Sequence, residues 1–151
     1  MGWVVAAVRR YPAYVAAYRS APCIAVLDDD LPVLTLLTRI LSEEGGYEVE
    51  TQSDLAAGYA FVKLCNPDLV ILDIMMGRSM SGYDVLECMK SDPTTRDIPV
   101  IVSSAMTSSF QHELYEDQAV HQLPKPFDLE DLLRTVRAAL LESPLAKTRP
   151  I

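Results

Sequence analysis

Four places along the chain carry residues that could do metal and phosphate chemistry. Asp28, Asp29 and Asp30 stand together in CIAVLDDDLPVL, and Asp73 closes the apolar run of LVILDIMM. Ser103 and Ser104 end IPVIVSSA, and Lys125 lies in LPKPF. Carboxylates gathered in one pocket repel each other and raise one another's pKa, so they stay ionised together only around a cation. A hard divalent ion such as Mg2+ meets that need, because it prefers oxygen ligands and binds through one or two carboxylates plus phosphate oxygens. A lysine to balance phosphate charge and a hydroxyl to hydrogen-bond a phosphoryl oxygen complete what phosphoryl transfer requires. In that chemistry Asp73 is the candidate nucleophile, forming an acyl phosphate.

These residues meet only if the elements bring them to one edge. Short, β-branched runs predict strands at Ile24–Leu27, Tyr47–Thr51, Leu69–Leu72, Val100–Val102 and Val120–Leu123, most of them apolar enough to be covered on both faces. Between them, helical periodicity predicts helices at Val33–Glu43, Leu55–Leu64, Tyr83–Lys90, Ser108–Tyr115 and Leu129–Leu141. The last is the clearest: Leu129, Leu132, Leu133, Val136 and Leu140 form one apolar stripe, and Asp128 with Asp131 resembles a capping box. Five β-α units in series imply an α/β fold, a five-stranded parallel sheet wound with helices on both faces. Ligands of such sheets bind beyond the carboxyl ends of the strands, where all four places fall.

Each residue also has a plainer reading. Asp30, with Pro32 in the first turn, is most simply a helix N-cap. Asp28 and Asp29 alone could be a solvated turn, Asp73 a strand-end aspartate, Ser104 a small terminal residue and Lys125 a surface lysine before a turn proline. His112 and His121 have no partner at metal-ligand spacing and are read as structural. Met75, Met76, Met80 and Met106 are read as packing groups, as are the scattered Cys23, Cys65 and Cys88, which suit reduced thiols better than disulfides or zinc.

Taken together, residues 23–142 resemble a response-regulator receiver domain of two-component signalling, of the chemotaxis-regulator kind. The acidic pair, acceptor aspartate, hydroxyl and Lys-Pro occur in that family's order at the ends of strands one, three, four and five. The resemblance implies a doubly wound, flavodoxin-like (βα)5 fold and a switch rather than an enzyme. It makes Asp28 and Asp29 the acidic pair for Mg2+, with Asp29, Asp73 and the backbone carbonyl of Met75 as direct ligands. Asp73 becomes the phosphoacceptor, charged by a sensor histidine kinase or a histidine phosphotransfer protein. Ser104, before Ala105, becomes the switch hydroxyl and Lys125 the contact to the phosphoryl oxygens, with a cis bond to Pro126 expected. Phosphorylation adds roughly −1.5 to −2 of charge, expected to draw Ser104 and Lys125 inward and change the surface of the last two helices, where a downstream protein or a homodimer partner would bind.

The departures from that pattern are specific. Gly77 stands where the family usually has proline, and the loop runs one residue longer before Gly82. Gln122 occupies the position commonly held by Tyr or Phe, which removes the aromatic part of the switch. Met75 and Met106 are bulky and apolar where side chains control water access to the acyl phosphate, so slow self-dephosphorylation is expected.

The chain of 151 residues suits one domain, half its residues being hydrophobic and 23% charged. Its net charge of −8 argues against direct nucleic-acid binding. Arg9, Arg10, Arg19 and Pro12 argue against a membrane span or signal peptide in residues 1–22, which are expected to be an extension, helical or disordered. Residues 143–151 are expected to be a tail or the start of a linker to a missing output domain, and a cytoplasmic location is expected. An aspartate-nucleophile phosphohydrolase is the rival, with Asp28 as nucleophile and Asp30 as acid/base, but Asp128 and Asp131 fall inside a helix where it needs acids at a strand end. A pseudo-receiver that only binds partners is the other.

Overall fold

The computed structural model describes residues 19–74, 82–104 and 119–144, except for the side chain of Ser104. The strands are β1 (Cys23–Leu27), β2 (Glu48–Gln52), β3 (Leu69–Asp73), β4 (Val100–Ser104) and β5 (Val120–Pro124). The helices are α1 (Leu31–Arg39), α2 (Gly58–Cys65), α3 (Gly82–Ser91) and α4 (Leu129–Glu142). Each strand lies close to its expected place, and the expected helix at Ser108–Tyr115 falls outside the described residues.

All strand pairs are parallel, in the order β2-β1-β3-β4-β5. The chain moves outward from β1 to the β2 edge, then crosses back to β3. That reversal opens the crevice at the carboxyl ends of β1 and β3 where an open sheet binds its ligand. Alternation along the strands splits the core into two layers. Ala25, Leu27, Val70, Leu72, Val100 and Val102 pack against α2 and α3, through Val62, Val85, Leu86 and Met89. Ile24, Val26, Leu69, Ile71, Ile101 and Leu123 pack against α1 and α4, through Leu34, Leu37, Leu41, Leu132 and Val136. Both faces of the sheet are therefore dry, which is why its strands read as continuous apolar runs.

Local signals set the helix ends. Asp30 is the α1 N-cap, accepting from the Val33 amide at 3.3 Å, with Pro32 in the first turn. The helix starts two residues earlier than periodicity alone placed it because the cap acts immediately before it. It ends through a π-turn at Ile40–Glu44, where the Gly45 amide reaches Ile40 O. Asp128 caps α4 by accepting from Asp131 N at 2.8 Å, while the Asp131 carboxylate turns to Arg134 rather than closing a capping box. Asn66, at φ 44°, ends α2 in the left-handed conformation.

Beside that end, the Arg19 guanidinium donates to Cys65 O at 2.5 Å and Asn66 O at 3.0 Å, a cation placed on a helix C-terminus. On the same face, Tyr59 and Lys63 of α2 both bind Asp92, just past α3. The hydrogen bond from Tyr59, then those from Thr94 and Lys63, hold the Asp92 carboxyl well below the usual carboxylate range.

The cysteines do not behave as one group. Cys23 and Cys65 are buried as expected, but Cys88 is exposed: it faces outward from α3 while Val85, Leu86 and Met89 take the inward positions. Burial pushes the Cys23 thiol up to about 12, which leaves little reactive thiolate at neutral pH. The native chain treated with N-ethylmaleimide at pH 7 is expected to gain one adduct, on Cys88, and three only after denaturation. Intact mass with peptide mapping checks this, and rapid native modification of Cys23 or Cys65 would contradict the packing.

Candidate functional site

Register builds the site. Leu27 pairs with Leu72, so Asp28 and Asp73, each one residue further on, emerge side by side at the ends of β1 and β3. Ser103 pairs with Asp73 on one side and Leu123 on the other, and Lys125 follows Leu123 by two residues on the same face. Asp28, Asp73, Ser103 and Lys125 thus come to one edge, as expected from their strand-end positions.

Carboxylate oxygens of Asp28, Asp29 and Asp73 lie within 4.8 Å of one another. Oxygens bound to Mg2+ at about 2.1 Å stand up to about 4.2 Å apart across the ion. The trio is therefore close to the spacing that a hard divalent cation requires, and its all-oxygen donors match that ion. The trio grades from buried to exposed. The Asp28 side chain is 4% accessible, that of Asp73 12%, and Asp29 faces solvent.

Lys125 supplies the ammonium: its Nζ donates to Asp73 Oδ2 at 3.2 Å and lies 3.6 Å from Asp28 Oδ2. Burial alone would lower the Lys125 pKa, but the hydrogen bond and charge of Asp73, with those of Asp28, outweigh it and raise it. Asp28 moves in the other sense. Burial raises its carboxyl above the ordinary range, and the Asp30 amide, donating at 3.0 Å, and Lys125 only partly offset this, while the charges of Asp73 and Asp29 add to it. The Lys125–Pro126 bond is cis, as expected. Beyond it, Phe127, Leu129 and Leu132 face Val33, Leu36 and Ile40 of α1 across an apolar groove of about 570 Å3.

Gly82 is a structural part of this edge that spacing alone did not identify. A side chain there would meet Asp73 O at 2.5 Å and the Ile74 Cα at 2.7 Å. Only glycine lets α3 begin against the main chain that carries Asp73.

Other expected residues divide by location. Ser104 ends β4, with its side chain outside the described residues; Met75 and Met106 lie wholly outside them. Gln122 is exposed on β5. His121 makes a 3.8 Å contact to Glu142, away from the acidic cluster. Asp30 and Asp128 are occupied as helix caps, which leaves the phosphohydrolase reading without its acid/base and without its second acidic pair.

Parallel order, crevice position and an acid-lysine cluster define an α/β module with a candidate cation site at its sheet edge, and the sequence comparison specifies which. Residues 24–137 match the family described as the response regulator receiver domain, and the chain belongs to that family. It is 36% identical over 121 residues to the DNA-binding dual master transcriptional regulator RpaA of Synechocystis, covering 79% of this chain and 49% of that protein. It is 38% identical over 118 residues to the response regulator MprA of a Mycobacterium, covering 78% of this chain and 50% of that one. The chain therefore spans about half the length of the curated relatives it matches. Among solved structures, chemotaxis protein CheY4 of Vibrio cholerae superposes with a TM-score of 0.71 at 24% identity, covering 80% of this chain and 99% of that one. A response regulator receiver protein of Methanoculleus marisnigri superposes at 0.63 with 31% identity, covering 80% and 98%. The chain is thus a receiver domain, of a family of signalling switches in which aspartate phosphorylation and Mg2+ are general features.

Because Asp28 is a buried, crowded carboxylate, Asp28→Asn is expected to stabilise the cation-free chain at pH 7 by about 2–4 °C in melting temperature, equivalent to ~1 kcal/mol in a domain of this size. Asparagine can still accept from the Asp30 amide. The stability that Asp28 contributes is fully present below its unfolded pKa of about 3.9 and is lost as pH rises through its raised folded value. The gain is therefore expected at neutral pH and should shrink as pH falls toward about 4. Melting curves of both chains across that range check it.

Proposed function

We propose that Asp73 is the phosphoacceptor, that Asp28 and Asp29 hold Mg2+ with it, and that Lys125 and Ser104 receive the phosphoryl oxygens. The observation that carries this is the 3.2 Å contact of Lys125 Nζ with Asp73 Oδ2 inside a cluster of three carboxylates. An Asp73 oxygen attacks the phosphorus of a phosphohistidine, the P–N bond breaks, and the donor imidazole leaves with the electron pair. Lys125 holds the reacting carboxylate in place and faces the arriving negative charge. Mg2+, when bound, neutralises charge on the transferred group. The Met75 carbonyl as a third ligand, and Ser104 as the hydroxyl that follows the phosphoryl group, come from the family resemblance.

The donor is a sensor histidine kinase or a histidine phosphotransfer protein. Curated relatives of this chain are response regulators of about twice the matched length, which supports an output domain as the receiver of the signal, a separate downstream protein being the alternative. A homodimer through the last two helices is the other use of the switched surface. The receiver unit is read as 23–142, with 1–22 an extension and 143–151 a tail or linker. Placement in the cytoplasm, beside the kinase's signalling domains, goes with that donor; no helix among the described residues is long and apolar enough to cross a membrane. The acidic surface, at a net charge of −8, supports protein partners rather than direct nucleic-acid contact.

Intact mass after incubation with Mg2+ and acetyl phosphate tests the assignment. The native chain is expected to gain one phosphoryl group, and Asp73→Asn none. Phosphorylation of Asp73→Asn to the native extent would move the acceptor elsewhere, and a native chain that neither binds Mg2+ nor gains mass would make it a partner-binding pseudo-receiver.

A further inference from the structure

We propose that Ser103 is a positioning residue that acts through Lys125: its hydroxyl accepts the Lys125 ammonium when Mg2+ takes over the carboxylates that otherwise hold it. The inference rests on reading Asp28, Asp29 and Asp73 as the Mg2+ site.

Three observations place Ser103 in this role. It pairs in register with Asp73, and register partners on neighbouring parallel strands project from the same face about 4.8 Å apart. Next, β4 lies between β5 and β3, so Lys125 must cross the end of β4 to reach Asp73 at 3.2 Å and Asp28 at 3.6 Å. Ser103 stands at that crossing. Finally, Ser103 is 3% exposed and its Oγ has no hydrogen-bond partner. Buried hydroxyls are almost always paired, because an unpaired one carries its full desolvation cost. The positions around it on this face, Ile71, Ile101 and Leu123, are apolar. A valine would pack in such a row without that cost.

The chemistry of the neighbours selects the partner. Lys125 offers three donors and no acceptor, and the two carboxylates offer acceptors only. A serine hydroxyl can accept from the ammonium and donate to a carboxylate oxygen. Mg2+ and the ammonium compete for Asp28 and Asp73, and two cations on shared ligands repel. The ammonium must therefore yield some of its contact while staying in the site. With the Ser103 hydroxyl on its path, it exchanges a carboxylate for a neutral acceptor instead of facing an apolar row. The hydroxyl left unpaired in the cation-free site is the one that becomes paired in the loaded site, so it favours the loaded state.

Calorimetric titration of Mg2+ into the full chain, with cation-free melting curves, tests this across five proteins. They are the native chain, Ser103→Val, Ser103→Thr, Lys125→Ala and the Ser103→Val/Lys125→Ala double variant. Ser103→Val is expected to melt no lower than the native chain without Mg2+, yet to bind Mg2+ about tenfold more weakly, the worth of one hydrogen bond to a charged group. Ser103→Thr, which keeps the hydroxyl, should restore most of the affinity. In the Lys125→Ala background, Ser103→Val should change Mg2+ affinity little. Native affinity in Ser103→Val would overturn the inference alone, since the metal site would stand. An equal loss with and without Lys125 would overturn the route through the ammonium. A native chain that binds no Mg2+ would overturn the site reading and the inference together.

Discussion

Two carboxylates, Asp28 and Asp73, are held almost dry at adjacent strand ends with the Lys125 ammonium between them. Taking charged groups out of water is costly, and the cost is offset only where partners are placed closely enough to replace hydration. That constraint runs through the molecule. The carboxylates become neighbours because β1 and β3 are adjacent, and Lys125 reaches them because β4 and β5 continue the same parallel sheet in register. An antiparallel or differently ordered sheet with the same residues would scatter them.

The rest of the fold holds that edge rigid. Two dry layers clamp the sheet, so a strand cannot slide by one residue without turning its apolar side chains to the wrong layer. Such a slip would also remove Asp73 from Asp28. Gly82 seats α3 directly on the Asp73 main chain, and Asp30 starts α1 immediately after the acidic pair. The carboxylates are thus fixed from behind, on strands and helix starts. Arg19 and the Tyr59–Asp92–Lys63 cluster lie apart from that edge and tie α2 to its surroundings.

Much of this was legible in the sequence because burial on both faces leaves a strong signal: short apolar runs ending in polar residues mark strands of a parallel sheet and their functional ends together. Asp30 and Asp128 were readable as caps because capping is local. Cys88 was misjudged because a lone thiol on a short helix says little about which way it faces, and three apolar neighbours on α3 had already filled the inward positions. The close approach at Gly82 and the unpaired state of the Ser103 hydroxyl were not legible for another reason. Their significance lies in what stands beside them across strands, a main chain at 2.5 Å in one case and the absence of a hydrogen-bond partner in the other. Neither can be inferred from residue type and spacing. The resemblance to a family suggested roles for the Ser104 hydroxyl and the Met75 backbone carbonyl, which no local signal distinguishes from those of ordinary residues.

Charge balance ties this edge to a divalent cation and to an arriving phosphoryl group. Three carboxylates gathered at one edge concentrate negative charge that a divalent cation would neutralise. With Asp73 as the acceptor, phosphorylation replaces one carboxylate charge by roughly −1.5 to −2 carried further out on the phosphoryl oxygens. The local charge changes by about one unit or less, but its centre moves outward from the strand end. Lys125, held at present by the carboxylates themselves, is the group on which that displacement acts first. The sheet beneath it cannot shift without breaking both core layers, so movement is directed into the side chains at the strand ends. A rigid sheet with a displaceable charge at its edge turns a small electrostatic change into a surface change while the fold stays as it was.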